Sequence, residues 1–231
     1  MFKNDVKIDA KMKTKITKDW LEEFSEYKKT HPCVLKKRIG PLEFHIGYSV
    51  RYAVDIRIGC SVFNLSNPLD FMCANLSIEP KSWYSLTWQQ HEKGLYKEAA
   101  QELRELAPIP IEGPVTLSQV INGYKNYKGH VCENRHFEDP ALIAAWAGQL
   151  ELARECLEWG LGTYQKHRSV PYHGITFGDW YQSMLERISD PEALRRTVEE
   201  QVIHHKLTKV PYQELIIDSL LNQPKVPMSL G

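Results

Sequence analysis

From Leu42 to Val50 apolar residues alternate with polar or small ones: Leu42, Phe44, Ile46, Tyr48 and Val50 against Glu43, His45, Gly47 and Ser49. A period of two sends alternate side chains to opposite faces, so this segment predicts a strand with one buried face. From about His91 the apolar spacing becomes three-to-four and stays so to the end, which predicts amphipathic helices. The chain thus divides into a sheet-forming part, 1–90, and a helical part, 91–231, packed together as one compact unit.

The elements follow from that division. Ile16, Trp20, Leu21, Phe24 and Tyr27 share one face of a helix predicted over Thr17 to Lys29, with Thr17 as N-cap, Asp19 in the first turn and His31-Pro32 ending it. A strand from about Val34 to Arg38 turns at Gly40-Pro41 into Leu42–Val50. The next strand runs from Val54 through Val62 to Leu65. Beyond the Ser66-Asn67-Pro68 turn, Met72, Ala74, Leu76 and Ile78 mark another. These make an antiparallel meander of about four strands, with the first helix over its apolar face. Gly47 and Gly59 read as bulges or close-packing points. Trp83, Tyr84, Leu86 and Trp88 read as an aromatic wedge between sheet and helices.

Helices are predicted over Leu95–Leu106, Thr116–Tyr127 and Ala141–Ala147, the last opened by Asp139 as N-cap and Pro140 at N1. The turn Gly148-Gln149 leads into Leu150–Trp159, with a stop at Gly160, and then comes Thr176–Ile188. Asp190-Pro191 opens a helix to about Leu207, and Tyr212–Leu221 is the last. The fold class is therefore α+β: a small antiparallel meander with an N-terminal helix, followed by a mainly helical body. The hairpin Ala141–Gly160 is shaped like one unit of a helical array, but no second copy follows at the ~33–34-residue period of such arrays.

Charge changes the picture only locally. The 29 basic and 29 acidic residues cancel, so no overall field draws in nucleic acid or anionic lipid, and neither is expected as a partner. Residues 1–38 nevertheless hold eleven Lys/Arg against six Asp/Glu, and residues 138–160 hold five Asp/Glu against one Arg. The five cysteines Cys33, Cys60, Cys73, Cys132 and Cys156 show no paired spacing, which suits a reducing compartment. The N-terminus lacks the apolar stretch of a signal peptide, and no run approaches the ~18 apolar residues of a bilayer span. A cytoplasmic protein is expected.

Candidate chemistry is sparse. His130, Cys132 and His136, with Glu133, Glu138 and Asp139 nearby, form the densest set of potential ligands. Structural zinc asks for two ligand pairs at short spacing, and the second pair is missing, so neither metal nor cofactor is expected. Cys132 with His136 or His173 follows no spacing rule for a nucleophile and its base. There is no Gly-x-Ser-x-Gly elbow, P-loop or dinucleotide fingerprint, and no catalytic residue is assigned. His204 and His205 point about 100° apart on a helix and do not converge on one ion.

One constellation stands out. Glu151, Glu155 and Glu158 fall at i, i+4 and i+7 on a helix whose Leu152, Ala153, Cys156, Leu157 and Trp159 turn to the core. Like charges at that spacing repel, and such a stripe suits docking of a basic partner. With Asp139 at the head of the hairpin, these are the partner-binding candidates, against the competing reading of a solubilising face.

The leading helix, the meander Leu42–Val50 and Val54–Leu65, and the hairpin Ala141–Gly160 together resemble the layout of immunity-protein families of bacterial polymorphic toxin systems. The run Val54-Asp55-Ile56-Arg57-Ile58-Gly59 resembles the central strand of those domains. The resemblance covers the architecture of about the first 110 residues and carries over no functional residue. It implies a non-enzymatic protein that binds a cognate toxin in the producing cell and blocks it. Two other readings stand beside it: a helical adaptor or scaffold that uses a groove between helices, and an enzyme with a site around His130, Cys132 and His136.

Overall fold

The sheet grows outward from β3 (Leu42–Arg51) and β4 (Asp55–Asn64), which pair antiparallel over their whole length, from Leu42 opposite Asn64 to Arg51 opposite Asp55. The computed structural model describes residues 6–68, 76–83, 85–129, 135–167 and 174–218. β2 (Val34–Ile39) and then β1 (Lys28–His31) add on one side, and β5 (Leu76–Ile78) on the other, all antiparallel. β6 (Leu86–Thr87) also pairs with β4, and β7 (Tyr212–Gln213) runs parallel to β2.

The alternation in the sequence is realised directly: Leu42, Phe44, Ile46, Ile56, Ile58, Cys60 and Val62 are all buried on one face. About four strands were expected and seven are present among the described residues. β1, β6 and β7 span two to four residues each, too few for a period to show. Gly47 and Gly59 face each other across the unbroken β3–β4 register, so no bulge forms there; a Cβ on Gly59 would lie 3.0 Å from the Ile78 carbonyl oxygen.

The first helix, α1 (Ala10–Glu23), covers that face with Ile16, Trp20 and Phe24, but it begins and ends earlier than predicted. Asp9 is its N-cap, accepting from Met12 N at 2.8 Å. Thr17 lies inside, its hydroxyl donating to the Lys13 carbonyl at 2.7 Å. Both residues have capping chemistry, and the more N-terminal one caps. α2 (Trp88–Glu92), α3 (Tyr96–Leu106) and α4 (Leu117–Asn126) follow, the last capped by Thr116, where the sequence expects the helix to begin. Trp83 and Trp88 pack partly buried against the core; Tyr84, Met72, Ala74 and Cys73 lie outside the described residues.

The body continues with α5 (Arg135–Trp146), α6 (Leu150–His167), α7 (Phe177–Ile188) and α8 (Pro191–His204). Thr176, the expected first residue of α7, is its N-cap, and Asp190-Pro191 caps α8 as predicted. The last predicted helix, Tyr212–Leu221, is not formed up to Asp218, beyond which the chain lies outside the described residues. Its start is instead β7, a strap across the structure. Arg38 N donates to Pro211 O and Gly40 N to Gln213 O. Ile216 bridges to Thr116, and Asp218 accepts from Ser118 N at 3.0 Å. Open main-chain groups at the edge of β2 outbid a short helix for this segment.

One ion pair ties the strap to the sheet. Lys37 is 1% exposed, donates to Glu26 at 2.7 Å and sits 5.1 Å from the Tyr27 ring centroid. Glu26 also accepts from Gly113 N at 2.9 Å and from Gln213 Nε2 at 3.4 Å, so one carboxylate joins β2, the α3–α4 connection and β7. Burial alone would raise its pKa, but the Lys37 and Gly113 donors hold it below the ordinary value. Glu26→Ala leaves the Lys37 ammonium buried and unpaired. It is expected to cost about 3 kcal/mol, read as a lower urea midpoint at unchanged m-value.

Candidate functional site

The acidic stripe sits on α6, and its position depends on how α6 packs on α5. The two helices are joined by the predicted turn, where Gly148 takes a φ of +77°. α6 does not stop at Gly160 but runs on to His167. Gly160 instead marks the point of closest approach, since a Cβ there would lie 2.5 Å from the Phe137 carbonyl oxygen of α5. Ala153, Cys156, Leu157 and Tyr164 turn into the core. Glu151, Glu155 and Glu158 are exposed, as the spacing predicts, and Arg154 is exposed with them. Tyr181 of α7 donates its hydroxyl to Glu158, which fixes that end of the stripe. Glu151 and Glu155 form no ion pair among the described residues.

Asp139 does not belong to that surface. It is fully buried inside α5 rather than capping it, and Pro140 lies within the helix. The carboxylate is drawn inward by three donors: Asn64 Nδ2 at 3.0 Å, Asn67 Nδ2 at 2.9 Å and the Tyr124 hydroxyl at 3.0 Å. Its neighbour Glu138 accepts from Trp180 Nε1 at 2.9 Å and Asn67 Nδ2 at 3.1 Å, with Arg187 3.7 Å away. Arg135 donates to the Asn67 carbonyl. This network joins the end of β4 to α4, α5 and α7. The docking expectation for Asp139 is therefore corrected: a group with no exposed surface cannot meet a partner. Burial pushes its pKa up to about 6, against the charge of Arg135 and the amide donors.

Of the histidine–cysteine set, His130, Cys132 and Glu133 lie outside the described residues, as does His173. His136 is 4% exposed among the rings of Tyr124, Tyr127, Phe137 and Trp159, an environment of packing. Among the described residues no three His, Cys, Asp or Glu side chains gather in a way that could hold a metal ion. His204 is exposed, and His205 bonds Gln201 at 3.0 Å.

A second polar cluster was not read from the sequence. On the face of the sheet opposite α1, Glu43 is fully buried and its Oε1 receives Lys36 Nζ at 2.7 Å and His45 Nε2 at 2.5 Å. Burial would raise the Glu43 pKa, yet the bonds from His45 and Lys36 hold it low, while burial lowers that of His45. Lys36 opposite His45 in register is what brings the cluster together, and pairing register is invisible to periodicity. A groove of about 730 Å³ lies between β5 and α4, lined by Asn122, Asn126 and Tyr127 among others. The Tyr127 hydroxyl closes the β5 edge there, donating to the Ser77 carbonyl at 2.7 Å.

No protein-family model matches the chain, and no curated protein or solved structure does either.

Two measurements probe this arrangement. Gly160→Ala forces α6 off α5 and is expected to cost about 1–3 kcal/mol, seen as a lower Tm. A carboxyl whose folded pKa exceeds its unfolded one stabilises the fold at low pH and loses that contribution as pH rises through the folded value. Asp139 therefore loses on the order of 3 kcal/mol between about pH 4 and pH 7, and Asp139→Asn should be compared with the parent chain across that window. The Tm difference between them should shift in favour of Asn as pH rises; a constant difference would show that Asp139 does not titrate there.

Proposed function

We propose that this chain is a non-enzymatic protein-binding protein that docks a basic partner on the exposed face of α6, and that its role is that of an immunity protein neutralising a cognate toxin. The observation that carries the reading is the rigid presentation of Glu151, Glu155 and Glu158. They stand exposed on a helix locked to its neighbour at Gly160, and Glu151 and Glu155 form no ion pair among the described residues. Repelling carboxylates held on a fixed scaffold need little rearrangement to meet a complementary surface, and their charge speeds and orients the encounter. Arg154 within the same face breaks the run of negative charge and favours a patterned partner over a uniformly basic one. The alternative of catalysis around His136 is disfavoured by the closure of aromatic rings around it. A bacterial cytoplasm is the setting this role implies. No helix among the described residues is long and apolar enough to cross a membrane.

A pull-down from native extract, with the triple reversal Glu151→Lys, Glu155→Lys, Glu158→Lys alongside, tests this. One stoichiometric partner should be recovered by the parent chain and lost with the variant. That partner should be toxic when produced alone and harmless when co-produced. Failure to recover any protein with either form would end the immunity reading.

A further inference from the structure

The basic excess near the start of the chain acquires a location in the fold. Lys28 of β1 stands opposite Lys36 of β2, which stands opposite His45 of β3, so the three form one row across the outer face of the sheet. The end of α8 and the turn after it meet this row, where Lys28 Nζ donates to the Lys209 carbonyl at 3.1 Å. Lys28, Lys29, Lys206 and Lys209 are all exposed, and none forms an ion pair among the described residues. The carboxylate set among them, Glu43, is buried and already taken by Lys36 and His45.

Two further features point to use of this charge. Lys206 follows the end of α8 with φ +56°, a left-handed conformation that glycine or asparagine ordinarily supplies and that costs another L-residue about 1 kcal/mol. β1 pairs only with β2 among the described residues, so its outer main-chain groups form a sheet edge.

We propose that this cationic end of the sheet docks an acidic, extended segment of a partner protein, running along β1 with its carboxylates against Lys28, Lys29, Lys206 and Lys209. Main-chain pairing at a strand edge supplies affinity and charge supplies selection. Nucleic acid fits less well: the cations are lysines without the arginine fork that grips phosphate, and the nearby exposed ring, Tyr212, already carries Arg38 at 4.8 Å from its centroid. The surface is opposite in sign to the α6 face and lies on different elements, so the two proposals stand or fall separately.

The test is fluorescence anisotropy at low salt with two labelled probes, an oligoglutamate peptide and a single-stranded oligonucleotide of equal charge, with thermal melts of every variant. Oligoglutamate should bind more tightly than the oligonucleotide. Lys28→Glu and Lys209→Glu should each weaken it about fivefold with Tm unchanged. Lys206→Gly should weaken binding while holding or raising Tm, because it removes the strained backbone. Equal or tighter oligonucleotide binding through the same lysines would replace the acidic segment by nucleic acid. Loss of neither probe's signal in the variants, or aggregation of Lys28→Glu with binding intact, would leave the lysines as guards of the strand edge and overturn the proposal. A fall in Tm for Lys206→Gly with binding unchanged would assign that cation to the helix end alone and remove it from the surface.

Discussion

The burial of Asp139 among Asn64, Asn67 and Tyr124 is the constraint around which sheet and helical body are arranged. A carboxylate with no exposed surface must find donors inside the protein, and those available lie at the end of β4, in the turn after it and on α4. Meeting that demand brings the end of β4 against α4 and α5. Glu138, one residue earlier, extends the same demand to Trp180 and Arg187 of α7. The direction in which α5 presents these two acids therefore sets where α6, packed on it through Gly160, can lie.

The sheet carries a second consequence. One face is mostly apolar and covered by α1; the other carries charged and polar side chains, with Lys36, Glu43 and His45 bound to one another at one end. The Lys37–Glu26 pair breaks the apolar rule on the covered side, and its carboxylate also holds the α3–α4 connection and β7. Ionic groups inside the structure are engaged at junctions between elements, where a charge fixes geometry that apolar contact leaves loose. Outside, charge separates into an acidic stripe on α6 and a cationic edge beside β1, on a chain whose total is zero.

Much of this was legible in the residues. The alternation of Leu42–Val50, the helix starts at Thr116 and Thr176, the cap at Asp190 and the turn at Gly148 all act within a few residues of themselves, and each appears where the pattern placed it. Glu151, Glu155 and Glu158 were likewise exposed as their spacing required. The errors share a cause. Asp139-Pro140 has the local form of a helix start and Gly160 that of a stop. One was decided by distant amide and hydroxyl donors, the other by a carbonyl on a neighbouring helix. Tyr212 and Gln213 have no strand signal of their own and became a strand because β2 offered an open edge.

What the sequence alone determined is what short-range physics decides: the class of fold, the longer strands and helices, and the face that most of these turn to water. Periodicity and capping depend on neighbours within about one turn or one strand, so they survive in a linear reading. The tertiary structure alone decided the order of strands in the sheet, the burial of Asp139 and the meeting of Lys28 with the end of α8. These depend on register, on the reach of side chains between elements and on competition for buried hydrogen bonds. Residues as far as 181 positions apart in the chain, Lys28 and Lys209, meet in this way, and no local pattern records such a meeting.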